Sequence, residues 1–378
     1  MPNLLQQVDA RSGPAASLLL RLLLALGFCG AINCKQAPSP PPSEVALATD
    51  LPAATIDQIL RGIAAGGGPR AERIPGQGLG AAALPKTLPA APVPLTDPTA
   101  PPATAPTPST APAPAAGGDV RWDLEPYGAV AAAARGELLP MPAAGEDVPD
   151  LWRDPGGTWV AIGGRAQVLL VATDLLGDHR APDRFTALTA PWLKGRVAIA
   201  APTRGAPLAH FAALYEAWGE ERMNLWLSQL KANEVQVLAD DAAVREAVMR
   251  GGAVVGILGS DEAAKAKASA AHVEAVYPNQ HSIGTFVWPT ALSRPRNPAH
   301  PAQAAVLAEK LADRLTEQLL VAREPGFLPL RKDIPVPPGV RSATNLVVIS
   351  VPPARIVEQI ELRRDALAAW TRSAQQHP

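Results

Sequence analysis

The stretch GGAVVGILGSDE, Gly251 to Glu262, decides how the rest of the chain is read. Its apolar run, Ala253 to Leu258, is short, continuous and preceded by a segment of helical period, which predicts a buried strand. The run stops at Gly259. Ser260 and Asp261 then open an Ala- and Lys-rich segment that reads as a helix. Ser or Asp at such a junction caps first-turn N–H groups, and the same helix end attracts anions. In open α/β sheets ligands sit at the carboxyl ends of strands, where this dipeptide falls. A binding site is expected here.

A length of 378 residues allows two lobes, and 47% apolar content supports a globular body. The 34 basic and 35 acidic residues nearly cancel, and no basic stripe with interleaved aromatics gives a nucleic acid a surface to bind. Both cysteines, Cys29 and Cys34, lie near the N-terminus, so the body has no thiols for a disulfide framework, a zinc knot or a Cys nucleophile. After Arg11, the apolar run Leu18 to Ile32 is interrupted by Arg21, and its Leu22–Gly30 part has the length of an export-signal core. Cys34 and the proline-rich KQAPSPPPSE follow, a segment too stiff and polar to join a core. This resembles a bacterial lipoprotein signal over residues 1–34, with Cys34 as the acylated residue and 35–43 as a tether. A plainly cleaved signal is the alternative, because Asn33 stands where a small residue is usual and the expected Leu is missing.

Val45 to Thr49 reads as a first strand, and Ala53 to Ala65 as a helix with Ile56, Ile59, Leu60 and Ile63 on one stripe. Residues 84–118 are almost wholly Pro, Ala and Thr and are expected to be a disordered insertion. Further strands are expected at Thr158–Ile162, Ala166–Ala172, Arg196–Ala201, Val235–Leu238 and Thr285–Trp288. Helices are expected at Ala129–Leu139, Leu208–Ala217, Glu220–Ala232, Ala242–Arg250, Pro301–Ala322 and Pro353–Thr371. This alternation predicts parallel α/β sheets. No internal repeat is present.

Several blocks, in order, resemble the type 2 periplasmic solute-binding proteins of ABC transporters, in particular the ferric-iron-binding group. They are SEVALATDLPAATIDQIL, DVRWDLEP, GRAQVLLVATDLL, PWLKGRVAIAAP, LAHFAALYEAWGEE, WLSQLKAN, EAVMRGGAVVGILGSDEA, VYPNQ, GTFVWPT, Pro298-Ala-His-Pro301 and VPPGV. The resemblance covers nearly all of residues 44–371 except the insertion. It implies an α/β fold of two lobes joined by crossing strands, with ligand between them. Residues 44–165 and 282–325 would form the first lobe and 166–281 the second, with 326–378 packing on both. Ligand that touches both lobes shifts the population toward closure, and an ABC permease with its ATPase would read the closed shape.

The resemblance further implies an acidic ligand at Glu125 and a cleft-facing Arg165. Ferric ion favours hard oxygen donors, and the family commonly supplies adjacent tyrosines after the strand that corresponds to Ala253–Leu258. Here Tyr127, Tyr215 and Tyr277 all stand elsewhere, and Ser260, Asp261 and Glu262 take that position. LGSDEA and His210 in LAHFAAL are similar to a family subgroup with an acidic run at that place, and Asp240-Asp241 replaces a small-polar block. The expected ligand set is therefore Ser260, Asp261, Glu262, Arg165, Thr49, Asp50 and His210. Glu125 and Asp261 are the metal-facing carboxylates, with Ser260 chiefly a helix cap and Tyr127 a packing residue. No resident cofactor is expected; the solute is left open between ferric ion, a ferric chelate and a small oxyanion. A sensing or envelope-binding module that has lost iron binding is the alternative. A hydrolase built on Ser260, Asp261 and His210 is disfavoured because Leu258 breaks the G-x-S-x-G elbow, and no Walker A loop exists. The expected location is the periplasm, lipid-anchored to the membrane.

Overall fold

The first sheet grows from β1 (Val45–Thr49), whose alternate residues Val45 and Leu47 are fully buried. Helix α1 (Ala53–Ala65) buries Ile56, Ile59 and Leu60, and β2 (Ala71–Pro75) returns parallel to β1. The computed structural model describes residues 44–76, 118–141, 145–269, 272–337 and 340–376. The export signal, Cys34, the tether and nearly all of the insertion lie outside them. The described residues belong to one compact unit, Pro42–Pro378.

Chain order continues with β3 (Val120–Asp123), α2 (Tyr127–Ala134) and β4 (Leu138–Leu139). One helix was expected over Ala129–Leu139. It ends early because Gly136, at φ +69°, takes a left-handed turn. The N–H groups of Gly136 and Glu137 then bond back to the carbonyls of Ala133 and Ala132, a Schellman stop. Next come β5 (Trp159–Val160), β6 (Gly164–Ala172), β7 (Val197–Ala200), α3 (Gly205–Trp218), α4 (Glu220–Ala232), β8 (Gln236–Leu238) and α5 (Asp241–Met249). The opening stretch becomes β9 (Val255–Gly259), followed directly by α6 (Ser260–Ser269). The remainder is β10 (Val273–Val276), β11 (Val287–Pro289), β12 (Ala291–Pro295), α7 (Pro301–Leu311), α8 (Arg314–Arg323) and α9 (Pro353–Gln375). The single helix expected over Pro301–Ala322 is two, because Asp313 leaves helical geometry and its carboxylate accepts from Leu315 N at 2.7 Å, starting α8.

The first sheet has the order β2-β1-β3-β12-β4 with β5 also on β12; the second has β10-β6-β9-β7-β8 with β11 also on β6. Both are mixed, which corrects the expectation of parallel sheets. β12 runs antiparallel to β3, and β6 antiparallel to β9. The reason is the crossing: β5 into β6 and β11 into β12 carry the chain between sheets, so these strands enter against the βαβ direction. In the second sheet Val197 and Ile199 face the core that holds α3 and α9, while Ala198 and Ala200 face the core with α5 and α6. Helix α9 packs on α3 and also on α2, spanning both lobes. Among the described residues no helix is long and apolar enough to cross a membrane.

Candidate functional site

Thr290 ties the two crossings together. Its Oγ1 donates to Ile162 O at 2.7 Å and accepts from Trp122 Nε1 at 3.0 Å, and its N–H donates to Gly163 O at 3.0 Å. A cleft of about 580 Å³ opens beside this knot. Asp50, Asp123, Leu124 and Glu125 line it from the first lobe, and Arg165 and Trp288 line its floor. The second lobe supplies Arg204–Pro207, Ala239–Ala242, Asp261 and Glu262.

Strand and helix ends place these groups. Arg165, at the start of β6, is 9% exposed, and its Nη1 donates to Asp261 Oδ2 at 2.9 Å. Its guanidinium carbon lies 4.9 Å from the Trp288 ring and 5.6 Å from that of Phe327, a cation–π setting that holds the charge in place. Glu262 is held by Arg245 and Lys265. Asp123 takes both oxygens to Arg121 Nη2, and Asp50 accepts from Leu124 N at 2.7 Å. Asp240 caps α5 by accepting from Ala243 N at 2.9 Å.

Burial and like charge raise two of these carboxyls. Asp123 is pushed up chiefly by burial and by Asp50, against the pull of Arg121. Asp241 is raised to about 7 by burial, with Asp261 and Glu262 adding to it and the Gly259 N–H and Arg165 opposing. Its Oδ2 accepts from Gly259 N at 2.8 Å, while its Oδ1 is sealed from water without a hydrogen bond.

Arg165, Asp50, Glu125, Asp261 and Glu262 all reach the cleft. The other expected residues stand elsewhere, for physical reasons. Thr49 is buried and spends its hydroxyl on Trp122 O at 2.6 Å. Ser260 is not a cap: its Oγ donates to Gly326 O at 2.6 Å and accepts from Ala166 N at 3.0 Å, tying β6 to the Gly326 turn. His210 is fully buried, 4.6 Å from the Phe185 ring and 5.5 Å from that of Phe286, and neither ring nitrogen has a partner. Burial lowers its pKa to about 3. Ser260, His210 and Asp261 therefore assemble no nucleophile–base pair. Tyr127 packs in the core, where burial and Glu125 push its hydroxyl well above its ordinary range. Among the described residues no three of His, Cys, Asp and Glu are grouped to hold a metal ion.

Sequence reading missed Arg204, Gly205, Asp241 and Trp288 as cleft residues, although GTFVWPT and the Asp240-Asp241 pair stand among its blocks and Arg204 and Gly205 fall in the gap between PWLKGRVAIAAP and LAHFAALYEAWGEE. It also missed Gly326, at φ +87°, where a Cβ would fall 2.4 Å from the Cα of Asp261. Only a glycine lets that turn lie against the cleft wall.

Two mixed sheets joined by crossing strands around a polar cleft define a two-lobed binding protein. The family profile described as bacterial extracellular solute-binding protein matches residues 137–333, just over half of the chain, and the chain belongs to that family. Among curated proteins nothing matches. Solved structures share the fold. Iron-bound HitA from Pseudomonas aeruginosa aligns at 18% identity and TM-score 0.66, over 88% of this chain and 99% of that one. Apo ferric ion-binding protein A from Pasteurella haemolytica aligns at 18% identity and TM-score 0.67, over 89% and 99%. AfuA from Actinobacillus pleuropneumoniae, with fructose-6-phosphate bound, aligns at 15% identity and TM-score 0.63, over 88% and 99%.

Proposed function

We propose that the chain is the solute receptor of an ABC importer, held at the envelope through Cys34. Its cleft would close on a small organic solute that carries an oxyanion. The pairing pattern of the cleft supports this reading most strongly. Of its acidic groups, Asp50, Asp123, Asp240, Asp241, Asp261 and Glu262 each accept from a protein donor. Arg204, by contrast, is exposed at the N-terminus of the 14-residue α3, and no side chain from its N-cap satisfies that end. A helix N-terminus flanked by a free guanidinium attracts an oxyanion. The acidic walls would accept hydrogen bonds from hydroxyls on the rest of the solute. AfuA, with its bound sugar phosphate, is a relative in fold with cargo of that kind.

Ferric ion as cargo is the second reading, favoured by the iron-bound HitA. The donor set does not fit a bare ferric ion. Asp123, Asp261 and Glu262 go to separate basic partners, Asp50, Asp240 and Asp241 accept from backbone N–H groups, and among the described residues no tyrosine lines the cleft. A sensing module without transport would use the same cleft; a permease and ATPase encoded beside the gene argue for transport. The test is the ligand released from freshly purified protein, read by mass spectrometry with metal analysis. A phosphorylated or carboxylated organic solute supports the proposal. One iron per chain with no organic anion rejects it.

A further inference from the structure

The chain passes between the lobes a third time, after α8. Arg331 is buried in the first lobe, where its Nη1 donates to Glu317 Oε2 at 2.6 Å and its Nε to Asp147 Oδ1 at 2.7 Å. The chain then runs beside Thr285, whose N–H donates to Val347 O at 2.9 Å and whose carbonyl accepts from Ile349 N at 3.0 Å. Helix α9 follows and is fastened to the second lobe along its length. Arg355 and Gln359 both bond Glu216 of α3, Arg363 Nη2 donates to Glu220 of α4 at 2.9 Å, and Trp370 Nε1 donates to Leu227 O at 3.1 Å. Its contact with the first lobe is of another kind. There it meets α2, which after Tyr127 consists of Gly, Ala and Val alone and has no side chain with which to bond it. Helix α9 is fixed to one lobe and free to slide on the other.

That sliding contact adjoins the hinge. Leu124 and Glu125 line the cleft, and the next two residues, Pro126 and Tyr127, line a void of about 10 Å³ together with Trp288, Ile349, Val351 and Ile356. Trp288 lines both spaces, so the crossing strand β11 stands between them. On the void side the lobes share one apolar core: Tyr127 and Val130 of α2 belong with Val357 and Ile360 of α9 and with Leu208 of α3. Tyr127 Oη and Trp288 Nε1 are buried there without a hydrogen bond, so neither group pins the seam shut. Hinge motion turns the lobes about the crossing strands. A turn that opens the cleft on one side of β11 presses the seam on the other.

We propose that the α2–α9 seam sets the open–closed balance of the cleft: opening drives α2 against α9 and into the void, so the volume packed there decides how far the lobes part. This rests on the reading of the cleft as one that closes on its solute, and not on which solute that is. A ligand-free protein already biased toward closure binds more tightly. Side chains that never touch the solute thereby regulate its affinity.

The experiment uses the full-length protein with the seam filled, Val351→Leu and Val351→Phe, and emptied, Ile356→Ala; neither position lines the cleft. The ligand-free radius of gyration is measured by small-angle X-ray scattering, and inorganic phosphate binding by calorimetry. Filling should shrink the radius and tighten phosphate binding, about three-fold for Val351→Leu, and emptying should do the reverse by a similar factor. Affinity that falls in all three variants is what plain damage to a core gives, and it overturns the proposal. An unchanged radius with unchanged affinity also overturns it, while leaving the cleft as a binding site. If the wild type binds no phosphate, the oxyanion reading falls and the radii alone decide. Val351→Leu below wild type below Ile356→Ala then supports the seam, and any other order overturns it. Circular dichroism of each protein, with Ile356→Val as the milder emptying variant, shows that loss of fold is not the cause.

Discussion

Arg165 Nη1 donates to Asp261 Oδ2 across 2.9 Å, with the two side chains 11% and 23% exposed. The pair joins the strand that crosses between lobes to the first turn of the helix that walls the cleft. Removing one partner of a largely buried pair strands the other. Asp261→Ala should therefore lower the unfolding free energy by about 1–3 kcal/mol in urea titrations. Asp261→Asn, which keeps an acceptor oxygen, should cost less than half as much. Equal costs would mean that the charge, rather than the hydrogen bond, holds Arg165.

Gly326→Ala tests the turn behind that wall. The new Cβ would meet the backbone N and Cα of Asp261 at 2.4 Å, at a φ of +87°. The cost should exceed the roughly 1–2 kcal/mol of a left-handed alanine, because backbone must move as well. Solute affinity should drop with stability. A variant as stable as the wild type would show that the turn has room to shift.

Asp241 should make stability fall as pH rises. Its folded pKa of about 7 lies above the ordinary 3.8, so the folded protein keeps a proton that the unfolded chain sheds between those values. The contribution of the neutral acid is complete below about pH 4 and lost as pH passes through 7. Asp241→Asn mimics the neutral form. It should melt higher than the wild type at pH 8 and nearly level with it at pH 4. The same difference at both values would contradict the account.

His210 acts in the opposite direction. Its folded pKa of about 3 lies below the ordinary 6.5, so the neutral ring's contribution is present above 6.5 and lost as pH falls toward 3. His210→Phe, among Phe185, Phe211 and Phe286, should flatten the melting curve between pH 6.5 and 4. Phosphate affinity should not change; a loss of affinity would return His210 to the ligand set.

Much of the fold was legible because its signals are local. Ala253 to Leu258 is a continuous apolar run closed by Gly259, and α1 carries its three isoleucines and one leucine on one stripe. Strand direction is not local. Whether β6 meets β9 parallel or antiparallel depends on where the crossings at Gly163 and Thr290 send the chain, and no window of ten residues contains both. The site divides in the same way. Asp261 and Glu262 announce themselves at a strand end. The meeting of Glu125 with Gly205 in one cleft, and of Gly326 with Asp261, joins residues far apart in sequence. His210 misled for that reason too: the aromatic rings that seal it, Phe185 and Phe286, come from distant segments.

The most direct test of the central claim is calorimetric titration of the full-length wild type and Arg204→Ala with inorganic phosphate. An oxyanion site at the start of α3 predicts one phosphate per chain in the wild type. Binding should weaken about ten-fold or more, some 1.4 kcal/mol, when the guanidinium is removed. Equal phosphate affinity in the two proteins, or no binding to the wild type, would contradict it.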